Sequence, residues 1–211
     1  AWNGRLDEEE LRRQIRSFKQ MGFGGFFMHS RLGLDTPYLG DTWFDMIKAC
    51  IDEAAKNDME AWLYDEDRYP SGAAGGLVTV DPKYRRRRLM LDRCHKTNFS
   101  WPESSDPFYC FATTLQNDQL QSYQKIESVD DLIGISDTVE ILTFTLQQYP
   151  NLSWFNGHTF LDYLNPEAVA KFIEITHEAY RREVGEHFGK TVPGIFTDEP
   201  NAGAIFRDWF P

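Results

Sequence analysis

Leu11, Ile15 and Phe18 recur at the spacing of one buried helical face. They follow Asp7-Glu-Glu-Glu10, a capping-box pattern in which Asp7 accepts from the N3 amide and Glu10 reaches back. Gly22 supplies a left-handed stop. Next comes Gly25-Phe-Phe-Met-His29, a short apolar run of the kind that suits a strand buried on both faces. The pattern then repeats. Asp41 or Thr42 caps a helix whose apolar face is Phe44, Ile47, Ile51 and Ala54; Asn57 and Asp58 end it, and Glu60-Ala-Trp-Leu-Tyr64 forms a further strand. Helix and strand alternating at this spacing predict parallel βα units.

From about residue 85 to residue 158 no long helical face is found. Leu89-Met-Leu91, Phe108-Tyr-Cys-Phe-Ala112 and Val139-Glu-Ile-Leu-Thr-Phe-Thr-Leu146 read as strands, separated by polar stretches at Ser104-Ser-Asp-Pro107 and Gln116-Asn-Asp118. After them the first rhythm returns. Asn165-Pro166 starts a helix with an Asn cap and proline at the first position. Val169, Phe172, Ile173, Thr176, Tyr180 and Val184 share its apolar side, Gly189 closes it, Gly194-Ile-Phe-Thr197 is another strand, and the chain ends at Phe210-Pro211. The fold class expected is α/β: a partial (β/α)8 TIM barrel of about its first four βα units, with a small β-rich insert between the third and fourth strands. Residues 1–84 form the first part of the barrel, 85–158 the inserted domain and 159–211 the continuation. A full barrel takes about 250 residues, and four strands cannot close one. The chain therefore reads as a fragment whose partner is the missing C-terminal half of the barrel, an open sheet being the structural alternative.

Composition supports a folded chain. Of its 211 residues, 41% are hydrophobic and 15% aromatic, enough to bury a core and to leave a few rings for stacking on sugar faces. The net charge of −11 argues against nucleic acid as a partner. The local run Arg85-Arg-Arg-Arg88 reads as a solvated stretch around a strand start. Cys50, Cys94 and Cys110 give no disulfide framework and no zinc spacing, and Cys50 fits a helix as a small core hydrophobe. No apolar run approaches the roughly 18 residues that span a membrane, so no membrane partner is expected. The opening Ala1-Trp-Asn-Gly4 has no Met and reads as a cut beginning. The compartment stays open, secreted or periplasmic if a longer protein carries a signal peptide.

In a barrel the C-terminal strand ends face the active site. Here those ends are Trp2 and Asn3, then His29, Ser30 and Arg31, then Asp65-Glu-Asp-Arg-Tyr-Pro-Ser-Gly72, then Asp198-Glu-Pro200. His29 and Arg31 share a face by the period-two rule and serve either as ligand contacts or as hydrogen-bonded structure. The Asp65–Arg68 cluster is either a salt-bridged loop or part of a site. Gly72, Gly75 and Gly76 match no phosphate-loop pattern. Alternation puts Ile195, Thr197 and Glu199 on one side of the last strand, so Glu199 reaches the rim if Ile195 points inward. There, partial burial and the Asp198 charge would raise its pKa and let it protonate a departing glycosidic oxygen. Asp198 would orient substrate. The plainer alternative makes the two carboxylates helix caps.

Asn3-Gly4, Phe27-Met-His-Ser-Arg31, the string Tyr64–Gly76, Leu161-Asp-Tyr-Leu-Asn-Pro-Glu167 and Gly194-Ile-Phe-Thr-Asp-Glu-Pro200 resemble the N-terminal part of the α-L-rhamnosidase-like glycoside hydrolases of family 106, relatives of the family 2 hydrolases. The resemblance implies an inverting hydrolase acting on rhamnosides, with Glu199 as general acid, a general base in later strands, and a calcium ion near the sugar with unassigned ligands. The carbohydrate-facing set expected is Trp2, Asn3, His29, Arg31, Asp65, Glu66, Asp67, Arg68 and Asp198. Two other readings are kept: a non-catalytic carbohydrate-binding half-barrel, and a metal-dependent hydrolase using His29 with Asp65, Glu66 or Asp198.

Overall fold

Asp7 begins the first helix as its sequence requires. Its Oδ1 accepts the Glu10 amide at 2.9 Å and opens α1 (Glu8–Gln20), with Leu11 and Ile15 buried. The Glu10 carboxylate turns to Arg13 at 2.6 Å instead of closing the box. Helix α2 (Asp41–Lys56) starts differently from its pattern. Gly40 is the cap and makes no side-chain cap bond, and Asp41 is the first helical residue, where its charge suits the positive end of the helix. The buried face of α2 carries Trp43, Phe44, Ile47, Cys50, Ile51 and Ala54.

The structure, a computed structural model, describes residues 1–103 and 108–200; the polar stretch at 104–107 and the chain end at 210–211 lie outside the described residues. The chain divides into two compact units, Ala1–Arg86 with the chain from Pro150, and Arg87–Tyr149. In the first unit β1 (Trp2–Gly4) pairs in parallel with β3 (Ser30–Leu34). Separately, β2 (Gly25–Phe27), β4 (Glu60–Tyr64) and β9 (Ile195–Phe196) form a parallel sheet in the order β2-β4-β9. The second unit is an antiparallel sheet of β5 (Arg87–His95), β6 (Phe108–Gln116), β7 (Gln119–Ile126) and β8 (Glu140–Gln148), ordered β5-β8-β6-β7.

The expected partial TIM barrel is not the fold. The described strands fall into three separate sheets, and the long strands, of eight or nine residues, all belong to the antiparallel one. Strand β1 is not hydrogen-bonded to β2 as a ladder partner. It pairs with the chain beyond it, beginning with the Trp2 amide on the His29 carbonyl at 2.6 Å. Apolar periodicity reports which residues are buried, but not which strands exchange hydrogen bonds, and the strand at Ser30–Leu34 carries too few apolar residues to announce itself. The same holds for β7, whose residues are exposed except Ile126.

The core of the first unit gathers Trp2, Leu11, Ile15, Met28, Trp43, Ile47, Ile51, Leu63, Tyr180 and Val184. The long helix after Pro166 is divided into α3 (Pro166–Ile175) and α4 (His177–Val184) at Thr176, whose hydroxyl, at 2.7 Å, shares the Phe172 carbonyl with its own amide and whose backbone, at φ −99° and ψ −73°, is distorted within the right-handed region. The break leaves Ile173 exposed and turns His177 toward the end of β4. The arginine run is solvated only in part, with Arg87 exposed at the start of β5. Arg86 is buried with its guanidinium over the Phe160 ring, and Arg85 donates to the Thr79 and Val80 carbonyls.

Ile47 is wholly buried and Ile173 is 41% exposed. Replacing Ile47 by Ala is expected to cost roughly 2–5 kcal/mol by urea denaturation, with the m value unchanged. Ile173→Ala is expected to stay within about 0.5 kcal/mol of the parent. Equal losses would contradict this placement of α3.

Candidate functional site

The chain leaving β4 enters a loop organised around Glu66. Its side chain is fully buried. Oε1 accepts the amides of Asp67 at 2.9 Å and Gly75 at 2.5 Å, while Oε2 accepts those of Gly72 at 2.9 Å and Ala74 at 2.8 Å. Burial outweighs the four N–H donors, which pull the other way, and its pKa is pushed up to about 8. With two donors on each oxygen, a proton on either would face an N–H group, so the loop is shaped for the ionised form. Gly76, at φ +95°, explains one glycine of the motif: a Cβ there would stand 2.5 Å from His158 Cδ2 and 2.7 Å from the Phe155 carbonyl oxygen.

The neighbouring acids are also engaged. Asp65 is fully buried; its Oδ1 accepts the Ser71 hydroxyl at 2.5 Å, and its Oδ2 meets Thr197 Oγ1 at 2.6 Å and His177 Nε2 at 3.2 Å. Asp67 accepts the Ser30 hydroxyl at 2.6 Å and Asn156 Nδ2 at 3.1 Å. Arg68 reaches the Trp154 carbonyl at 3.0 Å and Asn156 Oδ1 at 3.1 Å. The stretch from Ser153 to Asn156 is thereby stapled onto the loop.

The exits of β4 and β9 are tied together. The Tyr64 hydroxyl donates to Asp198 Oδ2 at 2.7 Å, the Asp198 amide donates to Ser71 Oγ at 2.9 Å, and the Ser71 amide donates to the Asp198 carbonyl at 2.8 Å. Beside them the His29 ring packs on Tyr64 with centroids 3.6 Å apart. His29 Nε2 is buried without a hydrogen-bond partner, and burial, followed by the Arg31 charge, pushes the imidazole pKa down to about 4 against the pull of Asp198. Arg31 is half-buried, its guanidinium over the face of Tyr69 at 5.6 Å. Tyr69 meets Trp154 edge-on at 5.4 Å, and Trp154 Nε1 donates to the Tyr69 carbonyl at 2.6 Å.

His29, Arg31 and Asp198 therefore come together, joined by Tyr64, Tyr69 and Trp154. Next to them, Glu66 faces its own loop, while Asp65 is tied to Thr197 and His177, Asp67 to Ser30 and Asn156, and Arg68 to Trp154 and Asn156. Trp2 is a core residue, edge-on to Trp43 at 5.1 Å, and Asn3 is exposed on β1. Glu199 is exposed, and its backbone has φ +42°. Strand β9 ends at Phe196, so alternation does not run on to residue 199. Ser71 belongs to the strand-end segment that the sequence marks, whereas His177 and Trp154, on a helix and in a polar stretch, carry no pattern that points to the site. Among the described residues no group of three or more His, Cys, Asp and Glu side chains is gathered as metal ligands would be. The carboxylates of Asp65, Glu66 and Asp67 are held by amides, hydroxyls and the Asn156 side chain. No described helix is long and apolar enough to cross a membrane.

No protein-family model matches the chain, and no curated protein matches it. A rhamnosidase structure from Novosphingobium sp. PP1Y shows a weak, partial likeness: TM-score 0.37 and 17% identity over 53% of this chain. The match spans 14% of that protein's chain.

Two outcomes follow from the geometry. Glu66→Gln sets an amide NH2 against two backbone donors and is expected to cost about 1–3 kcal/mol in denaturant unfolding; a neutral result would mean that the carboxylate is not what holds the loop. His29 carries a folded pKa below its unfolded value near 6.5. Its contribution to stability is thus complete above about pH 6.5 and is lost as pH falls through about 4. An NMR titration should find His29 neutral at pH 5, and a midpoint near 6.5 would refute the burial argument.

Proposed function

We propose that this chain carries part of the sugar-facing surface of a glycoside hydrolase, with Glu199 as proton donor. The observation that carries the reading is the clamp between the two strand exits, Tyr64 to Asp198 and Ser71 to Asp198. It fixes Asp198, the residue before Glu199, and His29 and Arg31 lie within electrostatic reach of the Tyr64–Asp198 end of that clamp. Asp198 then orients a sugar hydroxyl, and Tyr69 and Trp154 offer ring surface to a pyranose face. Glu199 is exposed, whereas a carboxyl group stays protonated near neutral pH only when water is excluded from it. In this reading the bound sugar itself provides that cover, and Glu199 delivers its proton to the leaving oxygen as water attacks the anomeric carbon. The motif resemblance adds inversion and a rhamnosyl substrate. Asp65, Glu66 and Asp67 are poor candidates for the base that inversion needs, because their oxygens already accept from amides, hydroxyls and the Asn156 side chain.

A second reading is a carbohydrate-binding surface without catalysis. The exposure of Glu199 favours it.

The discriminating measurement is turnover by the native protein. Glu199→Gln is expected to lower kcat on a natural glycoside by roughly 100-fold or more, and to do less on an aryl glycoside with a good leaving group. Unchanged turnover of the natural glycoside would remove Glu199 from the mechanism. Sugar binding without turnover in the parent protein would favour the second reading.

A further inference from the structure

The antiparallel sheet of β5 to β8 buries one of its faces. There Cys110, Ala112, Ile126 and Ile141 lie under the connections that carry Trp101 and Leu132. Side chains alternate between faces along a strand, so the residues between these point the other way. On that second face Leu91, Phe144 and Tyr109 stand side by side on three strands, Leu142 and Phe111 form the next row, and Leu89 lies one row back. Phe111 meets Phe144 edge-on at 5.9 Å. None of these six side chains is buried, and Leu89 and Tyr109 are 47% and 57% exposed. An antiparallel sheet with one solvated face ordinarily carries polar side chains on it. Here both faces are apolar, as in a sheet packed on both sides, yet among the described residues nothing closes off the second one.

We propose that two copies of this chain associate through that face, sheet against sheet about a two-fold axis. Such a contact sets one patch against itself, so an unpaired charge on it would meet its own like. The charges bordering the apolar rows are paired within the chain instead: Arg93 holds Glu140 and Asp118, and Lys125 holds Glu127. Two copies can therefore bring these borders together without local repulsion. Sheets pack face to face about 10 Å apart, and the surface that matches a twisted sheet of this size is a second such sheet. Four strands about 4.8 Å apart, over about seven residues of about 3.3 Å each, give on the order of 450 Å² of sheet per copy. Two copies cover about 900 Å² of flat sheet, and more with side-chain relief, which approaches the lower end of specific interfaces at about 1,200 Å². That size fits reversible association rather than a permanent dimer. Leu89, Leu91 and Leu142 offer a sugar no hydrogen-bond partner, which sets this face apart from the surface proposed above. The net charge of −11 on each copy opposes association, but it is screened beyond about 8–10 Å in physiological salt.

The test is sedimentation equilibrium of the native chain at concentrations up to about 200 μM. A monomer–dimer equilibrium with Kd between about 1 and 100 μM is expected. It should tighten severalfold between roughly 0.02 and 0.15 M salt, as the like net charges are screened. Leu89→Glu together with Tyr109→Glu should raise Kd at least about 100-fold, because two-fold symmetry places each new charge in the contact twice. Ile133→Glu, at a position 80% exposed in the connection before β8, should leave Kd within about threefold. A monomer throughout the range would overturn the proposal and leave the face to a partner of another kind. A dimer unaffected by the double variant, or weakened equally by Ile133→Glu, would place the contact elsewhere and overturn it too. So would a dimer that loosens as salt rises, which marks ion pairs rather than apolar rows. The salt response of the native chain decides the matter even where the double variant does not fold.

Discussion

The carboxylate of Glu66, closed off from water and held by four backbone amides, is the interaction on which the loop after β4 depends. Taking a carboxylate out of water costs several kcal/mol unless donors replace the lost hydration. Here the replacement is the loop backbone itself, which must fold back so that residues 67, 72, 74 and 75 all point inward. That requirement explains the left-handed backbone at Gly72, Ala74, Gly75 and Gly76. It also explains why the loop stays next to the sheet, since its anchor is the second residue beyond β4.

The remaining polar groups then fall into order. Ser71 hands its hydroxyl proton toward Asp65 and accepts the Asp198 amide, so the buried acid reaches the end of β9 through one side chain. His177, turned inward by the helix break at Thr176, closes the other side of Asp65. These contacts fix where Asp198 sits although β9 itself is only two residues long. The ladder contributes little there, and hydrogen bonds between side chains and backbone take over its role. A strand so short leaves the following residues free to choose their backbone, which is how Glu199 comes to have a positive φ rather than continuing the pleat.

Much of the local structure was legible in the sequence. The Asp7 cap, the apolar face of α2 and the Asn165-Pro166 start of α3 are written in residues whose preferences are local. Pairing was not legible. The alternation of helices and apolar runs suggested a barrel segment, yet β1 joins β3, and the strands outside the β-rich stretch form two sheets where one was expected. The strand at Ser30–Leu34 and the exposed strand at Gln119–Ile126 lack the apolar count that marks a buried strand, so periodicity passes over them. For the site, polar residues at strand ends were legible as a group, because charge next to an apolar strand stands out. Which of them faced outward was not, because Asp65, Glu66 and Asp67 differ in their hydrogen-bond partners and not in their pattern.

That last difference has a consequence for recognising sites. A dense string of acids, a base and glycines looks like chemistry, yet in the Asp65–Gly76 loop most of the acid oxygens already have donors of their own. A carboxylate whose lone pairs are filled from within cannot also bind a ligand without breaking what holds it. Candidates for contact are therefore the groups left underused after the internal bonding is complete: the imidazole nitrogen of His29, the guanidinium of Arg31, the open ring of Tyr69 and the exposed carboxylate of Glu199. None of these four holds the loop together. The acidic string supplies rigidity and these neighbours supply reach, so the most conspicuous motif in the sequence acts as the support of the site rather than its surface.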